Sequence, residues 1–162
     1  MTSTQEDNLR LMKYAIDALN TGDTSRVSEF ISLTYFNHES QMDPVRSKMR
    51  GPQEFIDTVV NLRKAISDLH YELLESVASD EKVVSIVSVR GKHTGSFFGF
   101  IPPSGNKISY QAVHIFTIGD DRKITEHKAI RDDLALMYQL GVVKGKGLQY
   151  ENLLKEWKRV EW

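Results

Sequence analysis

Three histidines and a pair of adjacent aspartates crowd the stretch from Gly91 to Gly141: His93, His114, His127 and Asp132-Asp133. Imidazole is the side chain most readily tuned to titrate near neutrality, and a carboxyl group pushed upward by burial can exchange protons in the same range. Groups of these types in one pocket suit proton transfer at carbon and hydrogen bonding to an enolate oxygen. An Ile101-Pro102-Pro103-Ser104-Gly105-Asn106 turn interrupts the strand-like runs, so the histidines and the acid are expected on one compact sheet.

Residues two apart in a strand share a face, which sorts the candidates. Over 108–118, Tyr110, Ala112, His114 and Phe116 fall together, an aromatic surface with one imidazole in it. A core histidine bonded to a carbonyl fits the same pattern. Over 124–131, Glu126, Lys128, Ile130 and Asp132 share one face and His127, Ala129 and Arg131 the other; the sequence does not say which lines the cavity. Asp132 is the carboxylate at the strand's end, best placed as acid or base, yet it or Asp133 equally suits the N-cap of the following helix. Asn37 and His38 suit hydrogen bonding to a carbonyl ligand or a strand end in water. His93, beside Thr94-Gly95 and followed by Phe97 and Phe98, suits a rim contact or a plain turn. His70 reads as solvated. No metal-ligand spacing such as a helical histidine pair occurs, and no metal is expected.

These residues need elements to hold them. Leu9, Met12, Ile16 and Leu19 recur at helical spacing behind a Ser3/Glu6 capping box, and Gly22 ends that helix. Asp23 is expected to cap a short second helix burying Val27, Phe30 and Ile31. Residues 34–39 read as a strand. Gly51-Pro52 opens a third helix with a stripe of Phe55, Val59, Leu62 and Ile66. Four strands follow, over 70–78, 83–89, 108–118 and 124–131, with sequential antiparallel pairing as the simplest topology. A helix over 134–140 ends at Gly141. Helices followed by a meander give an α+β fold. Beyond a Lys144-Gly145-Lys146-Gly147 hinge, Tyr150, Leu153, Leu154, Trp157 and Val160 form an amphipathic tail, so the chain divides into a domain over 1–143 and a hinge plus helix over 144–162.

Composition narrows the function. A chain of 162 residues, 40% hydrophobic and 27% charged, fits one globular domain. Its formal net charge of −1 gives no basic field for nucleic acid, and no partner of that kind is expected. No apolar run approaches the roughly 20 residues of a membrane span, and the N-terminus lacks the regions of a signal peptide, so a soluble cytoplasmic protein without a membrane partner is expected. With no cysteine, thiolate nucleophiles and thiolate metal sites are excluded. Gly-rich phosphate loops, nucleophile elbows and zinc-protease motifs are also absent.

The order Asn37-His38-Glu39, Gly51-Pro52, His93-Thr94-Gly95-Ser96-Phe97-Phe98-Gly99-Phe100-Ile101-Pro102-Pro103-Ser104-Gly105, His114-Ile115-Phe116, Lys123-Ile124-Thr125-Glu126-His127 and Asp132-Asp133-Leu134 leading to Gln139-Leu140-Gly141 resembles the SnoaL-like polyketide cyclases over residues 7–143. The resemblance implies a nuclear transport factor 2-like cone: a curved antiparallel sheet wrapped around helices, an internal apolar pocket, and a homodimer through the sheet's outer face. It also implies an intramolecular aldol condensation on a small-molecule carbonyl compound without metal or organic cofactor. His114 matches the family's pocket histidine. Asp132 matches the aspartate where the last strand meets the Gln-Leu-Gly helix; counted instead as two residues past His127, that acid's position holds Ala129. Lys128 stands where many relatives carry tryptophan.

Two functions follow. In the first, an enzyme uses Asp132 as acid–base and His114 as its partner, with Asn37, His38, Phe55, His93, Phe98, Tyr110 and Lys128 against the substrate. The second, motivated by Ala129 and Lys128, is a non-enzymatic ligand-binding or dimerisation domain, since one fold hosts many functions. An epoxide hydrolase or dehydratase would require more converging acids. The tail, through Trp157 and Trp162, is expected to pack across a partner subunit.

Overall fold

The computed structural model describes residues 2–40 and 43–144; of the hinge and tail expected over 144–162, all but Lys144 lies outside the described residues. The first helix, α1 (Ser3–Thr21), is capped one residue earlier than expected, because Thr2 and Gln5 form the reciprocal box in place of Ser3 and Glu6. Gly22 ends it in the left-handed conformation, as anticipated. Asp23 does not cap the short α2 (Val27–Phe30); its carboxylate accepts the Ser25 N–H at 2.9 Å and shapes the turn before it.

The strand β1 (Ile31–Asn37) starts earlier than its aromatic run suggested and gives way at His38 to a single 3-10 turn. After α3 (Pro52–Ala65) come β2 (Ile66–Ala78), β3 (Lys82–His93), β4 (Lys107–Ile118), β5 (Ile124–Arg131) and α4 (Asp133–Gln139). Ile66, assigned by periodicity to the helix stripe, is instead the first residue of β2; helical and strand spacing coincide at such a junction.

The strands β2 to β5 pair antiparallel in sequence order as expected, and β1 adds parallel to β5, giving the order β1-β5-β4-β3-β2. Two register shifts in β2, after Ser67 and after Leu73, bend this long strand, as extra unpaired residues do. The curved sheet receives Met12, Ile16 and Leu19 of α1 and Phe55 and Val59 of α3 in one core with Val83, Val87 and Val89 of β3. Where β5 stops, the Gln139 side chain of α4 takes the place of a strand partner: it accepts the Ser109 N–H at 2.6 Å and donates to the Ser109 carbonyl at 3.0 Å.

Register decides the faces. Val87, Ala112 and Arg131 lie opposite one another, as do Ser85, His114 and Ala129, and Val83, Phe116 and His127; this set points inward, toward the helices. The opposite set forms the outer face, where Val77, Val84, Ile115 and Lys128 make one row and Glu75, Ile86, Val113 and Ile130 the next.

Past β3 the chain doubles back against the end of α3, with Gly95 N–H donating to Ala65 O at 3.0 Å. A methyl group at Gly95 would stand 2.1 Å from the Lys64 carbonyl oxygen, a backbone atom with no room to retreat. Gly95→Ala is therefore expected to destabilise the fold by at least about 2 kcal/mol and lower the thermal midpoint by about 5 °C or more. A midpoint within a degree of wild type would contradict this packing.

Candidate active site

β4 and β5 bring His114 and His127 side by side on the inner face. Their rings stack 4.9 Å apart at 24°, and His114 Nδ1 lies 2.8 Å from His127 Nε2. His127 Nδ1 lies 2.9 Å from Asn37 Oδ1. Proton positions in this chain follow from its far end. Asn37 Oδ1 also accepts the Glu39 backbone N–H at 3.1 Å, a group that can only donate, so the amide oxygen faces His127. His127 must then carry its proton on Nδ1 and present a lone pair at Nε2. His114 Nδ1–H donates to that lone pair, and His114 Nε2 is left as a bare acceptor with no bonding partner among the described residues.

The surroundings are aromatic with one cation. Tyr71 meets the His114 ring edge-on at 6.1 Å, and Phe116 packs on His127 at 5.1 Å. Arg131 is held by Glu39, with Nη1–H donating to Oε2 at 2.6 Å, and by Asp133, with Nε–H donating to Oδ1 at 2.8 Å. Glu39 also accepts the Ala129 N–H at 3.3 Å, which ties the 3-10 turn to β5. The Arg131 guanidinium lies 5.7 Å above the ring of Phe98, a half-exposed residue held at φ 53° in the turn after β3.

Burial and this cation set the protonation states. Burial first, and Arg131 second, push the His114 pKa down to about 4. His127 is held well below the ordinary histidine range by burial, with His114, Arg131 and His38 adding to it. Burial raises the Tyr110 phenol to about 12 and that of Tyr71 well above its ordinary value, so both remain donors. Burial opposes the charge on Arg131, but Asp133 and Glu39 outweigh it and its pKa is raised. The site at neutral pH thus contains two neutral imidazoles, two phenols and one fixed cation, a set able to accept a proton and to stabilise a developing oxyanion.

Of the residues expected from the sequence, His114 and Tyr110 are on the inner face, and Asn37 stands behind His127, fully buried. Phe98 sits over Arg131. Several expectations are corrected. Asp132 does not face His114: its side chain accepts the Ala135 N–H at 2.9 Å, capping α4, and it is exposed. Lys128 lies opposite Ile115 on the outer face, exposed. His38 opens the 3-10 turn after β1 and pairs at 2.9 Å with Glu126, which alternates with inward His127 and so lies on the other face of β5. Phe55 is core, edge-on to Phe30 at 5.7 Å and to Tyr35 at 6.1 Å. His93 is wholly buried and accepts the Ser104 N–H at Nδ1, pinning the loop that follows it.

His127 stood among the candidate histidines without a role of its own, and Arg131, Tyr71 and Glu39 were given none. The alternation of β5 had grouped His127, Ala129 and Arg131, and pairing with β4 was the missing fact that turns them inward. Two clefts, of about 290 Å³ along Thr34, Phe36, His38 and Arg50 and about 460 Å³ along Asp68, Arg90, Lys92 and Lys107, are lined by neither His114 nor His127, so neither is the expected internal pocket.

The family model described as SnoaL-like polyketide cyclase matches residues 9–140. The chain is 35% identical over 141 residues to the aklanonic acid methyl ester cyclase DnrD of Streptomyces peucetius, covering 86% of this chain and 92% of that one. It is 30% identical to the nogalonic acid methyl ester cyclase of Streptomyces nogalater, over 78% of this chain and 91% of the other. Among solved structures, TsrD from Streptomyces laurentii superposes with a TM-score of 0.75 at 25% identity, covering 86% of this chain and 98% of that one.

Neutral imidazoles inside the fold carry a consequence for acid stability. The unfolded chain takes up these protons near the ordinary value of 6.5, whereas folded His114 takes one only near 4, so the contribution is complete above about pH 6.5 and is lost as pH falls through that window. The loss from His114 is expected to be on the order of 3 kcal/mol. Urea unfolding at about pH 7 and about pH 4.5 measures it. His114→Phe should show a distinctly smaller drop than wild type; equal drops would mean that His114 does not titrate in this way.

Proposed function

The chain belongs to the SnoaL-like polyketide cyclase family, and from that membership and the site's geometry we propose that it closes a ring by enolate chemistry on an apolar carbonyl compound, with His114 Nε2 as the base. The observation that carries this is the hydrogen-bond direction running from Asn37 through His127, which leaves that nitrogen unprotonated and, among the described residues, unbonded. His114 takes a proton from a carbon flanked by carbonyls, the enolate carbon attacks a ketone carbon of the same molecule, and the resulting alkoxide takes the proton back. Bonds and charges balance with no external reactant, so the residues present suffice without a cofactor. Arg131 and the Tyr110 phenol supply the positive and donating groups for the enolate oxygen, and Phe98 covers the apolar skeleton at the rim.

A second reading rests on Ala129. It lies directly opposite His114 in the register and offers only a methyl group, leaving no carboxylate on that pair. A site of this kind can hold a carbonyl ligand without turning it over. Homodimerisation through the outer face is part of the same proposal, supported by the apolar rows around Ile86, Val113 and Ile115 and by Val77 and Ile130, 62% and 66% exposed.

Aklanonic acid methyl ester, the compound in the name of the Streptomyces peucetius relative, is the first substrate to try. His114→Ala should lower kcat by about 100-fold or more, and Arg131→Met by a similar factor, while Asp132→Asn keeps a competent helix cap and near-wild-type turnover. Loss of activity in Asp132→Asn with an intact fold would return the catalytic role to that carboxylate. Calorimetric binding without ring closure in wild type would favour the second reading. For the dimer, Val113→Glu should shift sedimentation to the monomer; an unchanged sedimentation coefficient would place association elsewhere.

A further inference from the structure

Behind the site lies a buried charge that the proposed reaction does not use. Glu54, in the first turn of α3, is fully buried, and its Oε1 accepts from Arg46 Nη2 at 2.6 Å, Ser40 Oγ at 2.5 Å and Asn37 Nδ2 at 3.4 Å. Thr58, one turn later, accepts from Asn37 Nδ2 at 3.4 Å and from Arg46, and donates to Glu54 Oε1 at 3.5 Å. Among the described residues, Glu54 Oε2 and Arg46 Nε are buried with no partner. An ion pair in this state is poor value for stability: desolvation offsets most of the attraction, and matched apolar side chains often serve as well or better. Its value must be sought in what the carboxylate orients.

We infer that Glu54 is a positioning residue that sets the tautomer of both site histidines through Asn37. A carboxylate only accepts, so it requires the NH₂ side of the Asn37 amide to face α3. That turns Oδ1 toward His127, puts the His127 proton on Nδ1, makes Nε2 an acceptor, and puts the His114 proton on Nδ1 in turn. The lone pair of His114 Nε2 is the end of a four-residue chain that begins at a fixed negative charge, with each link oriented by the one before it. Glu39 N–H supports the same amide orientation from the other side. Arg46 balances the charge, and Thr58 reads both partners as acceptor and donor. Without the acceptor-only group, only the Glu39 N–H opposes a flipped Asn37 amide, and the imidazoles are released toward the Nε2–H form that free histidine prefers.

The inference rests on the proposed role of His114, but its test does not need turnover. Two-bond ¹H–¹⁵N correlation of the imidazole nitrogens at neutral pH reports which nitrogen carries the proton. Wild type should show Nδ1–H for both His114 and His127. Glu54→Gln should shift both toward Nε2–H and lower kcat about tenfold or more with little change in KM. Because that variant leaves Arg46 buried without a counter-charge and can fail to fold, Arg46→Met/Glu54→Gln is the companion, removing both charges together. A folded companion in which both histidines keep Nδ1–H overturns the inference, as does an Nε2–H signature in wild type. If the tautomers shift as expected but wild type closes no ring, the positioning role stands and the cyclase reading falls.

Discussion

The register between β4 and β5 is the constraint on which the molecule turns. Because side chains alternate strictly, pairing His114 with Ala129 and Phe116 with His127 sends His127, Ala129 and Arg131 inward and Lys128, Ile130 and Asp132 outward in one stroke. A slip by a single residue would bury a lysine beside the aromatic rings and expose the only arginine of β5. The hairpin between these strands is short, and Thr125 Oγ1 donates to the Thr117 carbonyl at 3.2 Å just where the ladder shifts, which fixes the alignment at its closed end. At the other end, Glu39 takes the Ala129 N–H and the Arg131 guanidinium together, so β1's exit clamps the same register from outside the ladder.

The interior so defined contains a line of buried polar groups, and their atoms are placed rather than scattered. Asn37, His127 and His114 satisfy one another in line, and the amide is oriented from two sides, by a backbone donor and by a carboxylate. Each of these groups would cost about 1–3 kcal/mol if left unpaired in the interior. The line therefore tolerates only one arrangement of protons. By contrast the apolar core under α1 and α3 contains ordinary aliphatic packing with Phe30, Phe55 and Tyr35 meeting edge to face, and it sets the distance between α3 and β1 across which Asn37 reaches Glu54.

The sequence disclosed the helices-then-meander architecture because periodicity changes from helical to alternating within a few residues of the end of α3 and because Gly22, Pro52 and Gly141 mark helix ends with definite chemistry. It also marked His114 and Tyr110 through the alternation of β4. It did not disclose the partners, because those depend on which strand lies beside which. β1 joins β5 in parallel from 90 residues away, so nothing local links Asn37 to His127. Glu54 was invisible for a different reason: beside Phe55 on a helix with an evident apolar stripe, a glutamate reads as solvated, and only the packing of Asn37 and Arg46 around it reveals a buried charge. Asp132 illustrates the reverse case, in which proximity to the right segment suggested chemistry and the local need of α4 for an N-cap took the side chain instead.

The low basicity of His114 bears on how such a site works. An imidazole whose pKa is pushed down to about 4 is a weak base in the empty site, and Arg131 is one of the two causes. In the proposed reaction the same cation stabilises negative charge on a substrate oxygen, so it raises the acidity of the carbon acid while it lowers the basicity of the nitrogen. Once charge separates in the proposed reaction, the enolate attracts both Arg131 and the new imidazolium, and the penalty that applies to an empty site is offset. A neutral pair poised in this way takes up no additional proton until an anion forms beside it. That property suits a reaction in which the proton must return to the same molecule after the carbon–carbon bond is made, and it makes a fixed tautomer, rather than a high pKa, the feature the surrounding structure has to maintain.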